Sequence, residues 1–260
     1  MKKFITIVLT AILFVAAVVL GVNSVYRVSE VALEINYVSE EAKLEAELLE
    51  ERLSAVYGKR SIFEVKANDS ESVFAEFSYF RLTDFKKEYP NKIVVEATED
   101  AEVFAVASEV ADEYYILALD GTILSIRENA LNRSDNAPNI LIDGVHISGE
   151  KGEICTSEEI VKLLPFLQEL STCMDGLRAN ITKIEYVIYG GNVEQYNFSM
   201  REGVTLMLQK ADEMAKEKAN KVAEKYASLE DKELLSGYLY ATNSDEKATV
   251  VYSPTEITLN

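Results

Sequence analysis

One stretch near the start, KKFITIVLTAILFVAAVVLGVNS, constrains this chain more than any other. Phe4 to Val22 carry no charge, and only Thr6, Thr10 and Gly21 interrupt the apolar run. As a helix these residues rise about 28 Å, close to the thickness of a bilayer's hydrocarbon core. A buried helix of a soluble protein would show a polar face, and this run has none. It is longer than the roughly 7–15 apolar residues of a signal peptide, although Val22-Asn23-Ser24 is a poor but possible cleavage site. On the residues alone, a retained anchor and a removed leader both stand, with length favouring the anchor. Lys2 and Lys3 keep the short N-terminus on the cytoplasmic side and send the remainder across. No cysteine follows the run before Cys155, which argues against a lipoprotein leader.

The rest of the chain is long enough for one or two domains and strongly acidic, the whole carrying a net charge of −18. That excess opposes nucleic acid and anionic lipid as partners of the body. Two cysteines, Cys155 and Cys173, could bridge, but sequence does not show the geometry, and Cys173, after an apolar helical stretch, could equally be a small buried side chain.

Residues 31–38 are rich in strand formers. SEEAKLEAELLEERLSAVYGK follows as a helix, with Ser39 as its cap, one apolar face of Leu44, Leu48, Leu49, Leu53, Val56 and Tyr57, and Gly58 as its end. A shorter helix over SESVFAEFSYF aligns Val73, Phe74, Phe77 and Phe80. Two strands, LTDFKKEY and KIVVEATE, flank a tight turn at Pro90-Asn91. The order is strand, helix, helix, strand, strand, enough to bury one sheet face beneath two helices.

The region from Glu102 is mostly strands. YYILALDGTILSI is a hairpin around Asp120-Gly121. Pro138 to Gly144 is an extended piece closed by a glycine. TSEEIVKLLPFLQEL is a helix with a capping box from Thr156 to Glu159, which Pro165 should kink or divide. Strands over ITKIEYVIY, EQYNFSM and VTLMLQ lead to a helix that turns Met214, Ala215, Val222, Tyr226 and Leu229 inward and its lysines outward. Strands near LSGYLYAT and KATVVY close the chain. The predicted fold class is α+β. Its segments are a cytoplasmic tail (1–3), a transmembrane helix (4–22), a small β-α-α-β-β domain (25–101), a larger mixed β-domain with flanking helices (102–254) and a C-terminal tail (255–260).

Catalytic chemistry finds little footing. The single histidine, His146, falls in a polar loop with no triad partners in view. Asp120 belongs to an Asp-Gly turn. The two cysteines lie too far apart in sequence for a zinc motif, and no P-loop or dinucleotide fingerprint occurs. Carboxylates are plentiful, so counting does not remove a glycosidase pair, but the chain has no tryptophan for sugar stacking. The expectation is a protein without enzymatic activity, cofactor or metal.

Several short matches, in order along about 230 residues, carry a resemblance. They are Gly58-Lys59 followed by Ser61-Ile62-Phe63; Tyr89-Pro90-Asn91-Lys92-Ile93-Val94-Val95; Tyr115 to Thr122; Pro138 to Gly144; and the closing run from REGVTLMLQK to GYLYAT and ATVVYSP. Together they resemble the FtsQ/DivIB family of bacterial cell-division proteins. The chain departs from that pattern after the hairpin, where Glu99 to Ala105 lack the family's Arg and Pro, and near Asn36-Tyr37. The resemblance implies a retained anchor, a POTRA domain, a second β-domain and a type II position in the cell membrane at the division septum. It implies a divisome scaffold that binds FtsB/DivIC-like and FtsL-like bitopic proteins and, through them, influences the septal peptidoglycan synthase. The alternative is a cleaved, secreted or surface-attached binding protein with the same body.

The resemblance places the partner site at the C-terminal end of the β-domain, and the residues there suit it. Ala248 to Tyr252 should form an edge strand, closed by Ser253-Pro254, that pairs with a strand of the partner. The candidate partner-binding residues are Tyr240, Thr249, Val250, Val251 and Tyr252. A period of two puts Val250 and Tyr252 on one face, Tyr252 serving as the anchor and Tyr240 flanking it.

Overall fold

The computed structural model describes residues 2–35, 39, 42–109, 112–189, 193–244 and 247–256. It is a mixed α+β structure. Tertiary contacts divide it into two units, Met1–Asp100 and Ala101–Asn260, against an expected boundary at 101/102.

In the first unit, helix α1 (Lys2–Val25) leads into β1 (Glu30–Ile35), α2 (Lys43–Tyr57), α3 (Glu71–Glu76), β2 (Phe80–Glu88) and β3 (Lys92–Glu99). Side chains of α1 are described only at 9–17, 21, 24 and 25. Among the described residues, no helix is long and apolar enough to cross a membrane; nine of the nineteen residues of Phe4–Val22 lie outside that statement. The small sheet has the order β1-β3-β2, with β1 parallel and β2 antiparallel to β3. Its core joins Leu49, Leu53 and Tyr57 of α2 to Ile93, Val95 and Val73.

Several local expectations change. Leu44 and Leu48 are exposed, because α2 buries only the stripe Leu49, Leu53, Tyr57. Ser39 does not cap α2, whose N-cap is Ala42. Its N–H and hydroxyl instead both donate to the Glu99 carboxylate, each at 2.7 Å. Gly58 does end α2, but at φ −58. A Cβ there would sit 2.5 Å from the Ser54 carbonyl oxygen, and the left-handed residue is Lys59 (φ 66). Phe80 opens β2 rather than closing a helix. Residues 36–38 and 257–260, within the expected first strand and tail, lie outside the described residues.

The second unit is one nine-stranded sheet of order β12-β11-β10-β9-β8-β7-β4-β5-β6. The strands are β4 (Phe104–Ser108), β5 (Tyr114–Leu117), β6 (Ile123–Arg127), β7 (Ile140–Ile147), β8 (Ile181–Tyr189), β9 (Val193–Met200), β10 (Thr205–Gln209), β11 (Tyr238–Ser244) and β12 (Lys247–Ser253). Helix α4 (Glu158–Cys173) and the short α5 (Leu177–Asn180) link the parallel pair β7/β8. Helix α6 (Ala215–Ala227) and the short α7 (Asp231–Leu234) link the parallel pair β10/β11. Parallel neighbours need such long crossovers. Both long helices lie on the same sheet face, where Leu163, Phe166, Leu167 and Leu170 of α4 and Ala219, Val222 and Tyr226 of α6 complete the core.

Here too particulars differ from the sequence reading. The N-cap of α4 is Ser157, not Thr156, and the Ser157 hydroxyl donates to Glu159 at 2.6 Å. The helix is not divided at Pro165. The strand does not close at Gly144 but continues to Ile147 through an irregularity, since Val106 pairs with Ile142 and Ala107 with His146. Gly144 (φ 79) lies within that irregularity, where a Cβ would sit 2.3 Å from the Tyr186 carbonyl oxygen. His146 is therefore an exposed strand residue, not a loop residue. Both cysteines are free, Cys155 buried and Cys173 half-buried. Asp120 acts as a turn residue, its carboxylate accepting the Thr122 N–H at 3.0 Å.

Candidate strand-docking edge

β12 is the terminal strand of the large sheet, paired on one side with β11 in antiparallel register: Val251 opposite Tyr240, Val250 opposite Ala241, Thr249 opposite Thr242. Two contacts from α6 fix which backbone groups point outward. Lys221 Nζ donates to the Ala248 carbonyl at 2.6 Å and to Glu217 at 2.7 Å. The Glu217 carboxyl is held below its ordinary range, first by the Lys221 hydrogen bond and also by the Ala248 N–H.

Both main-chain groups of Ala248 thus face away from β11. In a strand, the N–H and C=O of one residue point to the same side, and the side alternates with each residue. Val250 and Tyr252 therefore also present outward groups, while Thr249, Val251 and Ser253 spend theirs on β11. Among the described residues, no backbone-to-backbone bond outside the ladder with β11 involves 247–253. The open edge is two residues of unpaired donors and acceptors, bounded at its start by the Glu217–Lys221 pair and at its end by Pro254.

The side chains divide as period two requires, but their roles differ from those expected. Tyr252, expected as the exposed anchor, is only partly exposed and packs against the core. Its hydroxyl donates to the Ser236 carbonyl at 3.2 Å, and its ring lies over Gly237 (φ 109), where a Cβ would meet Tyr252 Cε2 at 2.8 Å. Gly237 is the space that lets Tyr252 lie down. Val250 also packs against the core. It lines a groove of about 260 Å³ with Lys221, Glu224 and Lys225 of α6 and Ser228 just after it. On the other face, Val251 is 49% exposed and stands across from Tyr240, which is buried. Tyr240 thus cannot flank Tyr252, because the two lie on opposite faces; its ring neighbour is Tyr238, at 6.2 Å. Four of the five expected residues, Thr249 to Tyr252, lie on β12, where Val250 and Tyr252 turn backbone groups outward and Val251 exposes its side chain; Tyr240 lies on β11 and is buried.

Sequence reasoning missed Lys218. The lysines of α6 were expected outside, yet Lys218 is fully buried. Its ammonium donates to the Gln209 and Lys210 carbonyls at 2.8 and 2.5 Å, at the end of β10. Burial pushes its pKa down to about 8. The signal was present: Lys218 precedes Val222 by four residues and Tyr226 by eight, placing all three on one helix face. No family model matches the chain, and no curated protein matches it.

Proposed function

We propose that this chain is a bitopic membrane scaffold of a bacterial divisome that docks an extended segment of an FtsB/DivIC-like partner on β12, alongside an FtsL-like protein, and so bears on septal peptidoglycan synthesis. The uncharged run Phe4–Val22 is its single membrane span, with the N-terminus cytoplasmic and everything after the span outside. The first unit is POTRA-like, and the activity is binding rather than catalysis. The observation that carries this reading is the open edge of β12, where Val250 and Tyr252 turn unpaired donors and acceptors outward at the end of a nine-stranded sheet. Such an edge accepts a partner strand through main-chain hydrogen bonds, and flanking side chains give selectivity. The ordered resemblance to the FtsQ/DivIB family supplies the partner class.

The test is fractionation followed by capture. The full chain should resist alkaline carbonate extraction, remain accessible to external protease, and retain a partner of the FtsB/DivIC type from detergent-solubilised membranes. Release of the intact body into the medium would end the membrane reading. A membrane-bound chain that captures no bitopic coiled-coil protein would end the scaffold reading.

A further inference from the structure

The first unit has an aromatic face at the end where α1 joins it. Three segments meet there. Ile62 N donates to the Tyr26 carbonyl at 2.9 Å, Lys59 N to that of Val28 at 2.9 Å, and Ser29 N to that of Asn91 at 2.9 Å. The chain leaving α1, the link after α2 and the β2–β3 turn are thereby clasped together. On the clasp three rings form a row, with centroids 5.1 Å apart for Tyr26 and Phe63 and 5.7 Å for Phe63 and Tyr89. Phe63 and Tyr89 are each 60% exposed, whereas their neighbours Ile62 and Val65 fill the core. Nothing in the packing of the unit requires these two rings to touch in water, and exposing them carries a hydrophobic cost.

Charge does not oppose a membrane here. Lys92 pairs with Glu30 and Glu88, and Arg60 with Asp69. With Arg27, Lys59 and Glu64 in the same segments, these named residues carry four positive and four negative charges, within a chain of net charge −18. The row begins one residue after α1 ends at Val25. Aromatic rings with a polar tip, such as tyrosine, favour the headgroup level of a bilayer. We propose that the Tyr26–Phe63–Tyr89 row lies in the interfacial layer of the bilayer that α1 occupies and holds the first unit against the membrane surface. This rests on the reading of Phe4–Val22 as a membrane span.

The chain has no tryptophan, so one introduced tryptophan is a clean depth reporter. Full-length Phe63→Trp is placed in phosphatidylcholine nanodiscs containing lipids brominated high on the acyl chain. Phe77→Trp serves as the control; it precedes β2, at the end of the strand away from Tyr89, and the strand spans about 26 Å by its rise. The expected result is quenching of Phe63→Trp severalfold stronger than that of Phe77→Trp, with both variants showing wild-type circular dichroism. Equal, weak quenching in a chain that co-elutes with the discs overturns the aromatic contact and leaves the span intact. A chain that does not enter the discs overturns both.

Discussion

The large sheet has two ends, and the chain treats them differently. At β6 the outer side is covered: Ile123 N donates to the Glu153 carbonyl at 2.8 Å, Gly152 N returns to Ile123 at 2.8 Å, and Thr122 bridges Ile154. At β12 the cover reaches only Ala248, through Lys221 and Glu217. Buried charge follows the same division. Near the covered end, buried Glu102 is matched by Arg127 at 2.5 Å and by the Arg133 N–H at 3.0 Å. Near the open end, buried Lys218 meets carbonyl oxygens and has no ion-pair partner among the described residues. The difference singles out β12 as the edge on which the proposed docking rests. An open edge is a template for pairing with another chain, which proteins usually blunt.

The largest effect is expected where the open edge is mounted on the core. Gly237→Ala drives a methyl group into Tyr252 at a positive φ, and should lower stability by about 2–4 kcal/mol, read as a fall in urea midpoint with m unchanged. Next comes Val251→Pro, which removes a ladder donor to β11. It should cost about 1–3 kcal/mol, visible as a lower melting temperature and faster amide exchange across β11. If Val251→Pro were as stable as wild type, the assignment of inward and outward residues along β12 would be wrong.

A smaller effect sharpens the contrast in buried charge. With its folded pKa near 8 and an unfolded value near the ordinary 10.4, Lys218 sheds its proton earlier in the folded state. Between those values the unfolded chain binds more protons, so this group's contribution to stability rises with pH. Below about pH 8 both states are protonated and the cost of burying the charge is fully present. The stability of wild type relative to Lys218→Met should therefore increase from pH 7.5 to 9.5, measured by chemical denaturation at each pH. The smallest effect belongs to Glu217→Met. An exposed pair of this kind contributes less than about 1 kcal/mol, but losing the carboxylate frees the Ala248 N–H and should extend partner protection by one residue, to Ala248, in hydrogen exchange.

Much of this was legible in the sequence, and the misses have a common origin. Periodicity and turn residues located the hairpins at Pro90-Asn91 and Asp120-Gly121 and the two long helices of the β-domain, because those signals are local. What a side chain meets across the fold was not legible. Ser39 is bonded to Glu99, sixty residues away, and no local rule pairs them. Leu44 and Leu48 look like core on a helical wheel, but α2 is covered along one narrow stripe only. At the candidate site, composition pointed to the strand, and the family resemblance implied that it was the edge. The phase of its inward and outward backbone groups was not legible, because it is set by the register with β11. Tyr252 was expected outside because an aromatic on an edge suits a partner; the unit uses it instead to cover Gly237.

The most direct test is a proline on the other phase of β12. Val250→Pro removes an outward donor that the ladder with β11 does not use, and an edge strand tolerates proline there. The full chain carrying it should melt within a few degrees of wild type, while its affinity for the extracytoplasmic segment of an FtsB/DivIC-like partner, measured by calorimetry, falls at least about tenfold. A folded Val250→Pro chain that binds with wild-type affinity would contradict the docking edge.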